Sequence, residues 1–283
     1  MPLFRFVQVE YPWLLGPPEG RYLLRRDGDP PDATPSQVIV LASLGAPERR
    51  RFQKSRRKAD PEPDPVPVAV TRATVIELND PFDSDAAGSR WLDNAGDDDL
   101  DAGLFVLNRA LHTYRLVIAD PHISPVDRYG ALVARVGFGA GEQVADGQWT
   151  AAIELIEKAG RQTRTKVLTP QAHLAAVLTG REQRLACEEL TLRARLDFDA
   201  HRYREAALQT MIALDAAIAE ITADPTGERL GKRLGELASL RDGMTDAGQQ
   251  ALGGSLDDAA REHVDAVLRR VESILRARAV LNA

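Results

Sequence analysis

Hydrophobic and polar positions alternate in the first part of the chain and repeat at helical spacing in the last part. Three short apolar runs, bounded by proline, glycine and aspartate, lie at residues 3–11, 36–44 and 68–78. Alternation with a period of two predicts strands, because successive strand side chains point to opposite faces of a sheet. In the first run this places Phe4 and Phe6 on one face and Val7 and Val9 on the other. The first part is therefore predicted to be β-rich.

A helix is predicted between the two parts, starting near Asp98 and ending before Pro121. Its apolar positions recur at gaps of three and four: Leu100, Leu104, Leu107, Leu111, Tyr114 and Val117. Aspartates at 97, 99 and 101 stand where a helix start favours carboxylates. They also match part of a calcium loop, but Ala102 replaces the required glycine, so helix capping is the favoured interpretation.

Three further segments complete the prediction for the first part. Residues 21–26 are predicted to return as a hairpin partner of residues 3–11, because a Gly-Pro-Pro-Glu-Gly turn separates the two. Residues 131–138 are predicted to form a strand that runs into a glycine-rich turn, and residues 149–158 are predicted to form a short helix.

From residue 169 onward the spacing predicts five amphipathic helices. They are a helix that starts at Thr169-Pro170 and stops at Gly180, helices at residues 182–199 and 203–222, a fourth carrying Leu230, Leu234, Leu237 and Leu240, and a last one carrying Val264, Val267, Val271 and Ile274. Short connections between such helices favour antiparallel packing. The predicted fold class is α+β: a β-rich N-terminal part at residues 1–160, followed by an antiparallel helical bundle at residues 165–283.

Composition limits the binding partners, the chemistry and the cellular location expected of the protein. The net charge of −6 opposes a whole-surface affinity for nucleic acid or anionic lipid. The single cysteine, Cys187, forms no internal disulfide and is predicted to be a packed hydrophobe rather than a nucleophile. No two of the five histidines are three or four residues apart, so neither a metal nor a cofactor is expected. Without a recognisable signal peptide or a long apolar run, a cytoplasmic protein with no membrane association is predicted.

A basic segment followed by an acidic, proline-rich one interrupts the β pattern at residues 45–67. Its cations are Arg49, Arg50, Arg51, Lys54, Arg56, Arg57 and Lys58. Proline-rich sequence favours extended, exposed backbone, so the segment is predicted to be a disordered or mobile loop. Such a loop suits contact with a protein partner, and contact with nucleic-acid phosphates is the alternative.

Closely spaced glycines follow the central strand, at Gly137, Gly139 and Gly141. Exposed backbone N–H groups beside a strand end can hold an anion, which makes the three glycines a candidate anion site. Glu142 stands where a dinucleotide-binding fingerprint requires its third glycine, and it would repel a phosphate. A structural turn is the favoured interpretation.

The helix pair at residues 182–222 resembles one unit of a tetratricopeptide repeat. The resemblance rests on Leu190, Ala194, Tyr203, Glu205, Ala206 and Ala213. Thr210 departs from the usual aromatic residue of the family, and no second copy follows at the expected period. The resemblance therefore implies one helical hairpin and not a peptide-binding array.

Residues 195–201, Arg-Leu-Asp-Phe-Asp-Ala-His, resemble the spaced Arg…His motif of the helical HEPN ribonucleases. In that family the arginine and the histidine act on RNA across a dimer interface. The resemblance implies Arg195 and His201 as a catalytic pair. Asp197 and Asp199 lie between them and would oppose phosphate binding.

The chain as a whole also resembles a group of uncharacterised actinobacterial proteins. The similarity is most evident at residues 107–109 and 141–149. It implies a type of source organism and no activity.

Together these patterns predict a non-catalytic scaffold or protein-interaction module, with a protein partner or self-association through the helical bundle. The alternative is a nucleic-acid-binding or RNA-processing protein that uses residues 49–58. A third alternative is an enzyme whose site is assembled from dispersed residues, which periodicity does not detect.

Overall fold

A computed structural model describes residues 2–25, 29–30, 32–45, 69–155, 174, 177–180 and 183–282. The chain divides into two compact units, Met1–Lys158 and Ala159–Ala283, called here the α+β unit and the helical unit. The first contains an antiparallel sheet and the second contains several helices, which confirms the predicted fold class. Residues 46–67 of the predicted loop, and most of the first helix predicted after Thr169, lie outside the described residues.

The α+β unit is built on a six-stranded antiparallel sheet. Its strands are β1 (Leu3–Tyr11), β2 (Gly20–Leu24), β3 (Gln37–Leu44), β4 (Val70–Glu77), β5 (Val133–Ala140) and β6 (Ala151–Glu154). They are arranged in the order β2-β3-β4-β1-β5-β6. Strand β1 is central: Val7 lies opposite Val75 on one side and Val136 on the other.

Two sequence predictions for the sheet are wrong. Strand β2 pairs with β3 and not with β1, because β4 and β5 occupy both edges of β1. The helix predicted at residues 149–158 is replaced by β6, an edge strand in which Ala152 lies opposite Gly137. Pairing with β5 there overrides a local apolar spacing that is too short to specify a helix.

Two helices lie against the sheet, α1 (Asp85–Leu92) and α2 (Asp97–Val117). The apolar stripe predicted for α2 is buried from Leu100 to Leu111, but Val117 at its end is 77% exposed. The carboxylate of Asp99 accepts a hydrogen bond from the Gly96 N–H at 2.9 Å. This confirms that an acidic residue caps the helix start.

The two faces of strand β1 are buried against different partners. Val7 and Val9 pack with α2, whereas Phe6 packs with Val144 of a 3-10 helix (Gly141–Asp146) on the opposite face. The alternation predicted for β1 is therefore confirmed.

The helical unit contains α3 (Ala186–Asp199), α4 (Tyr203–Ala223), α5 (Gly231–Ala238), α6 (Arg241–Gly253) and α7 (Asp258–Asn282). Its core is built from aliphatic and small side chains, including Leu214, Leu237, Met244 and Val267. The predicted boundaries are close except in one place. Helix α6 follows α5 as a separate helix, whereas the sequence predicted one helix, with leucines from Leu230 to Leu240, before the last helix.

Helix α4 is the one described helix that is long and apolar enough to cross a bilayer, judged by length and composition. Its residues Ala206, Ala213 and Ala217 are fully buried, and it contacts α3, α6 and α7. A core helix of a water-soluble protein passes the same test, and these contacts are those of a core helix.

Close packing of α2 on β1 requires a glycine at position 103. A Cβ built there would lie 2.5 Å from the Val7 side chain. We expect Gly103→Ala to destabilise the α+β unit by about 1–2 kcal/mol, because overpacking outweighs the gain in helix propensity. Urea unfolding followed by tryptophan fluorescence measures this directly, since Trp13, Trp91 and Trp149 all lie in the α+β unit.

The matched control is Gly235→Ala in α5, where an added Cβ meets nothing within 4 Å. Followed by far-UV circular dichroism, this variant is expected to be neutral or more stable by up to about 1 kcal/mol. Equal effects of the two substitutions would show that close packing at Gly103 is not required.

Candidate functional site

Arg195 of α3 is held by carboxylates from the helical unit. Its Nε donates to Glu272 at 2.7 Å and a terminal nitrogen donates to Asp265 at 3.0 Å, while Asp199 lies 3.5 Å away. Burial opposes the charge on Arg195, but these carboxylates outweigh burial and raise its pKa. A phosphate would have to displace Glu272 and Asp265 to bind this guanidinium.

His201 follows the end of α3 with a left-handed backbone, φ +58°. Its ring stacks on Tyr203 at a centroid distance of 5.6 Å. Arg195 and His201 thus have structural contacts of their own, with α7 and with Tyr203. A role for the pair in RNA chemistry stays a prediction.

The predicted glycine turn is not a turn over most of its length, since Gly137 and Gly139 lie inside strand β5. A Cβ at Gly137 would lie 2.5 Å from the Ala151 carbonyl oxygen, and one at Gly139 would lie 2.8 Å from Val144. Gly141 has φ +57° and begins the 3-10 helix. The glycines therefore permit close packing and one left-handed residue, and Glu142 beside them pairs with Arg21.

A polar network that the sequence analysis missed crosses the face of the sheet opposite α2. Gln8 is fully buried, and its amide donates to Thr74 at 2.9 Å and to the Val144 carbonyl at 3.3 Å. Arg135 donates to the Gln8 oxygen at 3.1 Å and lies over the Trp149 ring. Because the amide of Gln8 has partners on both sides, the network fastens the 3-10 helix to the sheet.

A second missed cluster lies inside the helical unit around Arg278, which is only 4% exposed. Its guanidinium donates to Asp224 at 2.8 Å, to Glu188 at 3.1 Å and to the Gln183 carbonyl at 3.1 Å. The sequence does indicate this cluster, because Arg278 lies four residues after Ile274 on the buried face of α7, and a charged residue buried there requires a partner.

Carboxylates near this cluster remain ionised well below neutral pH. Burial would raise the pKa of Asp224, but hydrogen bonds from Thr226 and Arg278 outweigh it and lower the pKa. Burial likewise opposes ionisation of Glu220, whose pKa is lowered by hydrogen bonds from the backbone and side chain of Cys187 and from the Ala186 N–H.

Cys187 is fully buried at the start of α3, which confirms the prediction of a packed residue. Burial, the larger cause, raises the pKa of its thiol to about 12, and the neighbouring carboxylate of Glu220 adds to the shift. At neutral pH the side chain is therefore a thiol and not a thiolate nucleophile.

Seven exposed apolar side chains of the α+β unit lie in three segments: just after β1, at the end of α2, and just before β5. They are Trp13, Leu14, Leu116, Val117, Ile118, Tyr129 and Leu132, whose exposed fractions range from 43% to 88%. The segment after β1 joins its parts: Gly130 lies against the Trp13 ring, and Gly16 lies against Ile123 and Tyr114 near the end of α2. We call these seven residues the apolar end.

Two site predictions remain, those on the basic segment at residues 49–58 and on metal binding. The seven cations at residues 49–58 lie outside the described residues. Within the part of the chain that the structure describes, no group of three or more His, Cys, Asp or Glu residues is arranged to hold a metal ion. Asp97 and Asp101 instead pair with Arg128.

In comparisons with known proteins, no family model matches this chain, and no curated protein and no solved structure matches it.

The Arg278 cluster makes the stability of the helical unit depend on pH. The pKa of Asp224 is lower in the folded protein than its value of 3.8 in the unfolded chain. Ionised Asp224 therefore contributes fully to the free energy of unfolding above pH 3.8, and this contribution is lost as the pH falls through the pKa of the folded state. At pH 7, Asp224→Asn is expected to lower the free energy of unfolding by about 3 kcal/mol, because it removes one carboxylate partner of the buried Arg278. This difference from wild type should shrink steadily below about pH 4.

The measurement is urea unfolding of both proteins at several pH values, followed by helical circular dichroism. Asp215→Asn is the control, because Asp215 forms an exposed pair with Arg241 and should change stability by less than about 1 kcal/mol. A difference between Asp224→Asn and wild type that is the same at pH 3 and pH 7 would contradict the assignment.

The buried thiol gives a second test of the helical unit. In the native protein at pH 7.5, Cys187 should resist a thiol-specific reagent such as DTNB, and it should react fully in denaturing urea. Because Cys187 is the single cysteine of the chain, the reaction has one origin. Rapid labelling of the native protein would show that the start of α3 is open to solvent.

Proposed function

We propose that the protein is a non-catalytic interaction protein whose apolar end docks onto a protein partner. The observation that carries the proposal is the concentration of exposed apolar side chains there, with Tyr129 88% and Val117 77% exposed. Monomeric soluble proteins rarely leave apolar patches larger than a few hundred Å² in water, and larger ones mark interaction sites. Tyrosine and tryptophan, both present, are the residue types that most often dominate binding energy.

The backbone beneath the apolar end is held in place, which favours binding. The Thr71 hydroxyl donates to the Trp13 carbonyl at 2.8 Å, and the Tyr11 hydroxyl donates to the Asp127 carbonyl at 2.7 Å. The Asn108 side chain both accepts from and donates to the backbone of Val126, at 2.7 and 2.8 Å. A surface on ordered backbone loses less conformational entropy when a partner binds.

The helical unit offers a smaller surface for self-association. Leu192 and Leu196 lie one turn apart on the outer face of α3, 67% and 45% exposed. A pair between Arg193 and Glu189 borders them. We also propose self-association through this leucine pair, because a two-fold symmetric dimer places the same patch of each copy against the other.

The cytoplasm is the setting we propose. Cys187 is the single cysteine and a buried free thiol, which is compatible with a reducing compartment. The packing of α4 as a core helix also supports a water-soluble setting.

The test is a pull-down from native lysate, with and without nuclease treatment, using three proteins: wild type, Leu116→Glu/Val117→Glu, and Leu252→Glu as a control. All three positions are at least 62% exposed, so the substitutions should leave the fold intact. We expect a defined partner with wild type and with the control. Recovery should fall at least about tenfold with the apolar-end variant, because charge at the centre of an apolar interface costs several kcal/mol.

Equal recovery by the apolar-end variant would contradict the proposal. Material that is lost on nuclease treatment would favour the nucleic-acid alternative, and neutralising residues 49–58 would then be the next variant to examine. Self-association is tested separately by solution scattering from the pure protein. A dimer that Leu192→Glu/Leu196→Glu abolishes supports the leucine pair, and a strict monomer at micromolar concentration removes self-association from the proposal.

A further inference from the structure

A cavity of about 150 Å³ lies between the first turns of α2 and the sheet, away from the apolar end. Its apolar walls come from Val7 and Val75 of the sheet, Val106 of α2 and Trp91 of α1. Its polar lining consists of Arg5, Gln37, Glu77 and Asp99. Apolar walls with a few convergent polar groups are typical of small-molecule sites.

The charged groups of this cavity do not pair with one another. Within the described residues, Arg5 has no ion pair, and its guanidinium lies 5.4 Å from the Phe82 ring and 5.8 Å from the Trp91 ring. In the same part of the chain, neither Glu77 nor Asp99 contacts a cation. Glu77 accepts from the Gln37 amide at 3.0 Å, and Asp99 caps Gly96. One cation and two carboxylates thus line the same cavity, and none of the three forms an ion pair within the described residues.

Two atoms of the lining residues are buried beside the cavity. The Nε of Arg5 and the Oε1 of Gln37 have no hydrogen-bond partner, but neither is accessible to a molecule in the cavity. Within the described residues, the terminal nitrogens of Arg5 have no hydrogen-bond partner either. A carboxylate can bind end-on to the two terminal nitrogens of a guanidinium, so a ligand carboxylate would meet Arg5 there.

We propose that this cavity binds a small zwitterion, an α-amino acid or a molecule of that size and charge. The ligand carboxylate pairs with Arg5, its ammonium group lies near Glu77 and Asp99, and its apolar side chain packs on Val75 and Val106. A cavity of this volume accommodates a molecule about the size of benzene, so the ligand is an amino acid with a small side chain, no larger than that of valine. The inference is independent of the apolar end.

Ligands with one charge fit the cavity less well. An anion without an ammonium group would face Glu77 and Asp99 unpaired. A cation without a carboxylate would meet the charge of Arg5, and Arg5 already lies over the Trp91 ring. Like charges held close together in a partly buried site repel strongly.

The test compares valine with two molecules that each lack one of its charges. Isovalerate lacks the ammonium group, and isobutylamine lacks the carboxylate. Isothermal titration calorimetry and amide NMR shifts of the full-length protein measure binding. We expect a dissociation constant of about 0.1–1 mM for valine, as for other ligands of this size, and binding at least about tenfold weaker for the other two.

Three variants complete the experiment. Arg5→Gln should weaken valine binding at least about tenfold, and Arg90→Gln, on the exposed surface of α1, should leave it unchanged. Ala102→Leu alters no charge and places bulk at the mouth of the cavity, where Ala102 is exposed, so it should block binding even if Arg5→Gln fails to fold. The proposal is overturned if valine does not bind, if it binds no better than isobutylamine or isovalerate, or if Ala102→Leu leaves its binding unchanged.

Discussion

The close packing of helix α2 on strand β1 is the contact on which the α+β unit depends. Gly103 allows the helix backbone to approach the Val7 side chain, and the leucines of α2 then cover one face of the sheet. The first turns of α2 bound the cavity beside Arg5, and its last turn carries Leu116 and Val117 into solvent. One helix therefore positions both the proposed ligand site and the proposed docking surface.

The helical unit differs from the α+β unit in having charged side chains inside an aliphatic core. Arg278 bonds to Asp224 and Glu188, which join the end of α4 and the start of α3 to the last helix. Arg195 makes a similar connection between α3 and Glu272 of α7. Buried ion pairs of this kind contribute little net stability over apolar contacts, but removing one partner is costly, so they fix which helices pack together. The charges of the helical unit form ion pairs, whereas those lining the α+β cavity form none within the described residues.

Much of the fold follows from local pattern. The alternation of Phe6 and Val7 gave the two faces of β1 correctly, and the leucine spacing gave the buried stripe of α2. Edge strand β6 was missed, because its pairing depends on Gly137 of another strand and not on its own residues. The apolar end was partly visible as Val117, the last member of a stripe that continues past the edge of the sheet. The cavity could not be predicted, because Arg5, Glu77 and Asp99 meet only through the register of the sheet and the packing of α2.

We propose that the protein acts by binding through the apolar end. A photo-crosslinking amino acid placed at Tyr129 tests this, with a second protein carrying it at Leu252 of the helical unit. Both positions are exposed and apolar, at 88% and 62%, so chance contacts should be similar. After irradiation in nuclease-treated lysate, we expect one defined protein adduct at position 129 and none of that mass at position 252. No adduct at position 129, or the same adducts at both positions, would overturn the proposed docking.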